Sequence, residues 1–133
     1  NASVTETACK NGMAEACDRL GDAYHRGRGV PLSFKKALSL YRQTCDGGRK
    51  RTACWKAGMI VFKMGGDRKE ALNLISTSCH KYKNDVACVN LAKIYLVEPS
   101  VAPDENAAEK LLKQACKRGN AEGCDLLEQV KAP

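Results

Sequence analysis

The sequence predicts an all-α fold: αα-hairpin repeats stacked as a solenoid of about three and a half units. Three observations lead there. The eight cysteines fall into four pairs, Cys9/Cys17, Cys45/Cys54, Cys79/Cys88 and Cys116/Cys124, and equivalent members recur every 34–37 residues. The residues around them recur too. Ala16-Cys17-x-x-Leu20-Gly21-x-x-Tyr24 returns as Ala53-Cys54-x-x-Ala57-Gly58-x-x-Val61 and as Ala87-Cys88-x-x-Leu91-Ala92-x-x-Tyr95, with a weaker copy at Gly123-Cys124-x-x-Leu127-Glu128. The third observation is periodicity. Ala37, Leu40, Tyr41 and Thr44 match Ala71, Leu74, Ile75 and Ser78, and match Ala108, Leu111, Leu112 and Ala115, at the spacing of one helix face.

Each unit then reads as two antiparallel helices, A and B. Residues before Gly12 read as the tail of a helix B. The first unit, 13–48, has helices at 14–26 and 33–46, broken by Gly27-Arg28-Gly29-Val30-Pro31 because Gly and Pro end helices. The second, 49–83, has helices at 51–63 and 67–81. The third, 84–119, has helices at 85–97 and 104–117, separated by Pro99 and Pro103. A final helix fills 120–131. Asp67 and Asp104 are expected N-caps. The whole of 1–133 is expected to be a single repeat domain.

Composition narrows the function classes. The chain is 44% hydrophobic and 28% charged, which suits a folded core. No run of about 18 apolar residues spans a membrane. The net charge is +7, yet aromatics make up only 5%, thin for reading single-stranded bases by stacking. No nucleic-acid partner is expected.

Eight cysteines allow 105 pairings, and the rhythm favours neighbours. Structural zinc needs Cys-x2–4-Cys knuckles and redox sites need Cys-x-x-Cys; neither spacing occurs. Buried free thiols remain the other reading. Neighbour disulfides would each close a loop worth up to about 2.6 kcal/mol by loop entropy. They would place the chain in an oxidising compartment, the periplasm or the outside. The chain begins at Asn1, so a signal peptide is expected to have been removed.

The run from Leu20-Gly21-Asp22-Ala23-Tyr24-His25-Arg26-Gly27-Arg28-Gly29-Val30-Pro31 to Lys36-Ala37 and Tyr41 resembles the Sel-one-like repeat, a relative of the tetratricopeptide repeat. The cysteine pairs resemble the cysteine-rich bacterial branch of that family. The second and third units replace Gly-x-Gly-Val by Met64-Gly65-Gly66 and by Glu98-Pro99-Ser100-Val101. The resemblance implies a right-handed αα superhelix with disulfide-stapled turns, used as a protein-binding scaffold in bacterial envelopes, in assembly, signalling or host contact. Some similar periplasmic proteins act as immunity partners of secreted toxins. The cysteine-rich branch is also linked to penicillin binding and β-lactam hydrolysis.

Chemistry finds little support in the residues. Ser33-x-x-Lys36 and Ser78-x-x-Lys81 match one element of a class A β-lactamase, but Ser-Asp-Asn and Lys-Thr-Gly are missing. Lys36 also holds a repeat position occupied by Glu70 and Ala107 elsewhere. His25 and His80 fall on different units. No catalytic residue, metal ligand or cofactor is therefore expected. The densest basic run, Arg49-Lys50-Arg51, supports an alternative of lipid or glycan binding through basic turns.

The resemblance implies that helix A lines a concave surface. Its outward positions are Glu15, Asp18, Asp22, His25 and Arg26 in the first unit, all polar. They are Thr52, Trp55, Met59, Phe62 and Lys63 in the second, and Val86, Val89, Lys93, Leu96 and Val97 in the third. Trp55, Met59 and Phe62 form one stripe, which Val89, Leu96 and Val97 would extend, rimmed by the first unit's Asp18, Asp22 and His25, with Lys93 also expected to meet the partner. A helix apolar nearly all round is either core or interface. The expected function is a non-enzymatic interaction scaffold, monomeric when free. Its partner is another protein, with a secreted toxin or an envelope complex as concrete versions.

Overall fold

The structure is a computed structural model and describes residues 2–46, 53–98 and 106–132. Among these residues there are eight α-helices and no strand: α1 (Ala2–Lys10), α2 (Ala14–Arg26), α3 (Phe34–Asp46), α4 (Ala53–Lys63), α5 (Arg68–Ser76), α6 (Asp85–Val97), α7 (Ala107–Lys117) and α8 (Ala121–Lys131). A π turn, Thr77–Lys81, continues α5. The chain forms two compact units, divided after Leu74. In the first, α1 packs on α2, α2 on α3 and α3 on α4. In the second, the π turn packs on α6, α6 on α7 and α7 on α8.

The repeat positions make the core. Ala37, Ala71 and Ala108 are buried, as are Tyr41, Ile75 and Leu112 one turn on. Thr44, Ser78 and Ala115 follow, also buried. Thr44 lies among apolar groups, and its hydroxyl donates to the carbonyls of Leu40 and Tyr41 at 3.0 and 3.1 Å. On the other helices Ala16, Cys17 and Leu20, then Ala53, Cys54 and Ala57, then Ala87, Cys88 and Leu91 are buried in register. Burying each of these Leu or Ile side chains stabilises by roughly 1.5–3 kcal/mol. Gly21 is required by contact: a Cβ there would lie 2.7 Å from Cε1 of Tyr41.

The four disulfides join the neighbours that the rhythm favours, Cys9–Cys17, Cys45–Cys54, Cys79–Cys88 and Cys116–Cys124. Their Cα–Cα distances of 4.5–4.8 Å lie within the range a bridge spans. No free cysteine remains. Each bridge ties the end of one helix to the start of the next. Four disulfides fit an oxidising compartment.

The bridged turns come in two lengths for a visible reason. After Cys9 and after Cys116 the helix stops on a left-handed glycine three residues on, Gly12 (φ 91°) and Gly119 (φ 92°). The next residue's N–H then donates back into the last turn, Met13 to Ala8 at 3.1 Å and Asn120 to Ala115 at 3.0 Å, the Schellman pattern. After Cys79 the left-handed position falls one residue later, on Lys83 (φ 55°). The π turn takes up that extra residue, and the Asn84 N–H reaches back to Ser78 at 3.0 Å. The expected single helix over 67–81 is therefore an α-helix followed by a π turn.

The expected helices at 14–26 and 85–97 match α2 and α6 in full. Asp67 caps α5, accepting from the Lys69 N–H at 3.0 Å. Asn84 and Asn120, not singled out from the sequence, cap α6 and α8 by accepting from Ala87 and Gly123 N–H groups. Gly27 ends α2 in the left-handed region, as its helix-stop reading requires. Asp104, Pro99, Pro103, Thr52 and the Arg49-Lys50-Arg51 run lie outside the described residues.

Candidate functional site

Most of the predicted first-unit face lies on α2 and α4. Asp18 and Asp22 are one helical turn apart on α2, and Lys56 comes from α4 to meet both. Its Nζ donates to Asp22 Oδ1 and Oδ2 at 3.1 and 3.3 Å, and to Asp18 Oδ2 at 3.4 Å. The Tyr41 hydroxyl, from α3, donates to Asp22 Oδ1. Lys56 Nζ also lies 5.5 Å from the centre of the Tyr41 ring. One lysine thus ties three helices of the first unit together. Burial, reinforced by the bond to the Asp22 carboxylate, pushes the Tyr41 phenol well above its ordinary pKa.

This cluster corrects part of the expected rim. Asp18 is only 8% exposed, so it is not a wet surface group. Among the described residues its Oδ1 has no hydrogen-bond partner. Its charge is held inward by Lys56. Lys56 was missed in the sequence, although it is the one charge interrupting the apolar run of α4 before Lys63. Glu15 and Arg26 are exposed, while Asp22 and His25 are half-buried. His25 rests against Phe34, with ring centroids 5.5 Å apart. Burial, then the nearby Lys63 and Arg26 charges, lower the pKa of His25.

Trp55, Met59 and Phe62 are all half-buried, unlike their neighbours Cys54, Ala57, Ile60 and Val61, which are buried. Phe62 packs against the edge of the first-unit core. The stripe therefore rests on the core and keeps part of its area accessible.

The predicted residues of the second unit divide. Val89 is 1% exposed and belongs to that unit's core, so its place in a partner-facing stripe is withdrawn. It is enclosed because α6 packs against both the π turn and α7. Leu96 is 43% exposed, and Val97 beside it and Val86 at the start of α6 are exposed too. Lys93 is engaged: its Nζ donates to Glu122 on α8 at 2.7 Å.

The serines of the two serine–lysine motifs hold structural positions. Ser33 Oγ accepts from the Lys36 N–H at 3.2 Å and serves as the N-terminal cap of α3. The Lys36 ammonium instead lies 5.3 Å from the centre of the Tyr24 ring. Ser78 is fully buried, next to the bridged Cys79. Among the described residues no group of three or more His, Cys, Asp or Glu could hold a metal ion. Among them, too, no helix is long and apolar enough to cross a membrane.

Helix pairs in register, stapled at their junctions and displaying varied side chains on one face, define an αα-repeat scaffold. The Sel1 repeat family model matches residues 14–48 and 85–120, more than half of the chain, and the chain belongs to that family. Over 137 aligned residues it is 26% identical to cytochrome c oxidase assembly factor 7A of Xenopus laevis, covering 92% of this chain and 57% of that protein. The chain thus spans a little over half the length of that relative. Two solved structures share the fold. A protective antigen of uropathogenic Escherichia coli with an SLR fold matches at a TM-score of 0.82 and 22% identity, over 97% of this chain and 28% of the antigen. A Sel1 repeat protein from Oxalobacter formigenes matches at 0.79 and 22%, over 95% of this chain and 52% of that one. Sel1-repeat proteins are typically non-catalytic scaffolds, and the fold is consistent with protein–protein interaction.

Proposed function

We propose that this chain is a non-enzymatic scaffold of the periplasm or extracellular space that binds a partner protein through the α2–α4 face of its first unit. The observation that carries this reading is the half-burial of Trp55, Met59 and Phe62 beside the Lys56 clamp. Large apolar side chains that stay partly accessible on a rigid support are the usual anchors of an interface. The clamp holds α2 against α4, so the face is set before the partner arrives and less ordering entropy is lost on binding. Asp22, His25 and Lys63 supply a polar margin. Neutralising a secreted toxin is one concrete version of the function. Holding a client during assembly is another, in line with the name of the Xenopus relative.

The test is affinity capture from envelope and secreted fractions with wild type and Trp55→Ala/Phe62→Ala, both checked by circular dichroism. The double variant is expected to weaken capture of a specific protein by at least about 2 kcal/mol with helicity intact. Equal capture by both proteins removes this face. Lost helicity makes the stripe part of the core.

A further inference from the structure

We propose that the second unit carries a separate docking groove, along α7 and α8, that takes an acidic amphipathic helix of a partner protein. The inference deepens the scaffold reading and rests on it, but it uses a different unit and different residues.

The groove is a cavity of about 720 Å³ lined by His80, Lys110, Leu111, Lys113, Lys117 and Leu127, among others. Lys110, Lys113 and Lys117 are three and four residues apart, hence on one face of α7. All three are exposed. Lys113 has a weak surface contact with Glu109 of its own helix at 3.7 Å. Among the described residues, Lys110 and Lys117 have no carboxylate partner. The floor is apolar, with Leu111 buried and Leu127 half-buried. A stripe of three exposed ammonium groups over a leucine floor suits a helix with an apolar stripe edged by carboxylates.

The repeat holds a precedent for one such charge contact. Aligning Cys45 with Cys116 places Arg42 of α3 at the position of Lys113 of α7. In the first unit Arg42 is ion-paired to Glu70 of α5, the next helix of the same kind. Likewise Leu20 of α2 and Leu91 of α6 are buried, while their counterpart Leu127 on α8 is half-buried. Lys113 thus stands where the first unit has a basic residue ion-paired to a glutamate of another helix. The lysine stripe is not demanded by the fold, because Ser39 stands at the position of Lys110.

The probe is a fluorescein-labelled helical peptide of about 16 residues, with a Leu/Ala stripe flanked by Glu, paired with a control in which every Glu is Lys. Binding to the intact protein is read by fluorescence anisotropy. The acidic probe is expected to bind and the basic control not to bind. Lys110→Gln/Lys113→Gln/Lys117→Gln should weaken binding at least about tenfold with unchanged circular dichroism, as should raising salt from about 50 to about 500 mM. Trp55→Ala/Phe62→Ala should leave it unchanged, which separates failure of this groove from failure of the α2–α4 face. Absent binding, equal binding of both probes, or indifference to the lysine changes overturns the proposal. So does a concentration-dependent dimer abolished by the triple variant, which would make a second copy the occupant. Lysine-dependent sedimentation with phosphatidylglycerol vesicles, without acidic-probe binding, would assign the stripe to a membrane surface and overturn it as well.

Discussion

The two units solve the same packing problem with different chemistry. Each joins two neighbouring helices of like role through a lysine. In the first unit Lys56 of α4 reaches Asp18 and Asp22 of α2 and is largely enclosed, with its side chain 22% exposed. In the second, Lys93 of α6 reaches Glu122 of α8 at the surface, with side chains 43% and 57% exposed. The close contact differs as well. Gly21 makes room for Tyr41 in the first unit, while the second has Ala92 and Leu112 at the equivalent buried positions. The repeat dictates where helices meet and leaves the contact open to variation, a large residue against a small one or a moderate pair. A buried ion pair becomes costly to break, whereas an exposed pair contributes little.

The comparison can be broken most forcefully at its tightest contact. Gly21→Val should destabilise the protein by about 2–3 kcal/mol through the clash with Tyr41, read as a lower urea midpoint. Ala92→Gly should cost only about 1 kcal/mol, mainly helix propensity. Equal losses would mean that the Tyr41 ring moves aside freely.

Removing bridges comes next. Cys9→Ala/Cys17→Ala and Cys116→Ala/Cys124→Ala open loops of the same separation, 8 residues. Loop entropy alone gives each the same loss, up to about 2.6 kcal/mol. Cys9 and Cys17 are buried while Cys116 and Cys124 are half-buried, so the first pair should lose more. Denaturation of the two variants under one condition checks the order.

The lysines give a smaller and sharper contrast. Lys56→Met should cost about 2 kcal/mol, since it strands the Asp18 carboxylate and removes a partner from Asp22. Lys93→Met should stay within about 0.5 kcal/mol. Similar values for the two would remove the distinction between the units.

The smallest effect is in pH. His25 has a folded pKa below its unfolded value near 6.5, so the unfolded state binds the proton more readily. Stability should therefore fall as pH drops below about 6.5, and the loss should be complete below the lowered folded pKa. His25→Gln should flatten that part of the stability–pH curve by a small amount. A variant as steep as wild type would assign the slope to other groups.

Much of this was legible in the residues. The cysteine rhythm and the Ala-x-x-Leu-Tyr register located the helices and the bridges, because a repeat writes each packing contact several times. The helix-stop reading of Gly27 followed from backbone freedom alone. Lys56 stayed hidden because its two carboxylates lie more than 30 residues away in sequence and no local pattern links them. Asp18 reads as a surface acid by type and becomes buried only once α4 lies against it. Val89 followed the outward register and still faced inward.

The sequence by itself determined an αα-repeat chain and favoured four neighbour bridges, since periodicity and backbone chemistry are local properties repeated along it. Only the tertiary structure decided which polar groups became structural and how much of the Trp55 stripe stayed accessible. Those outcomes depend on what each side chain meets across helices, and burial converts the same residue type from a surface group into a clamp.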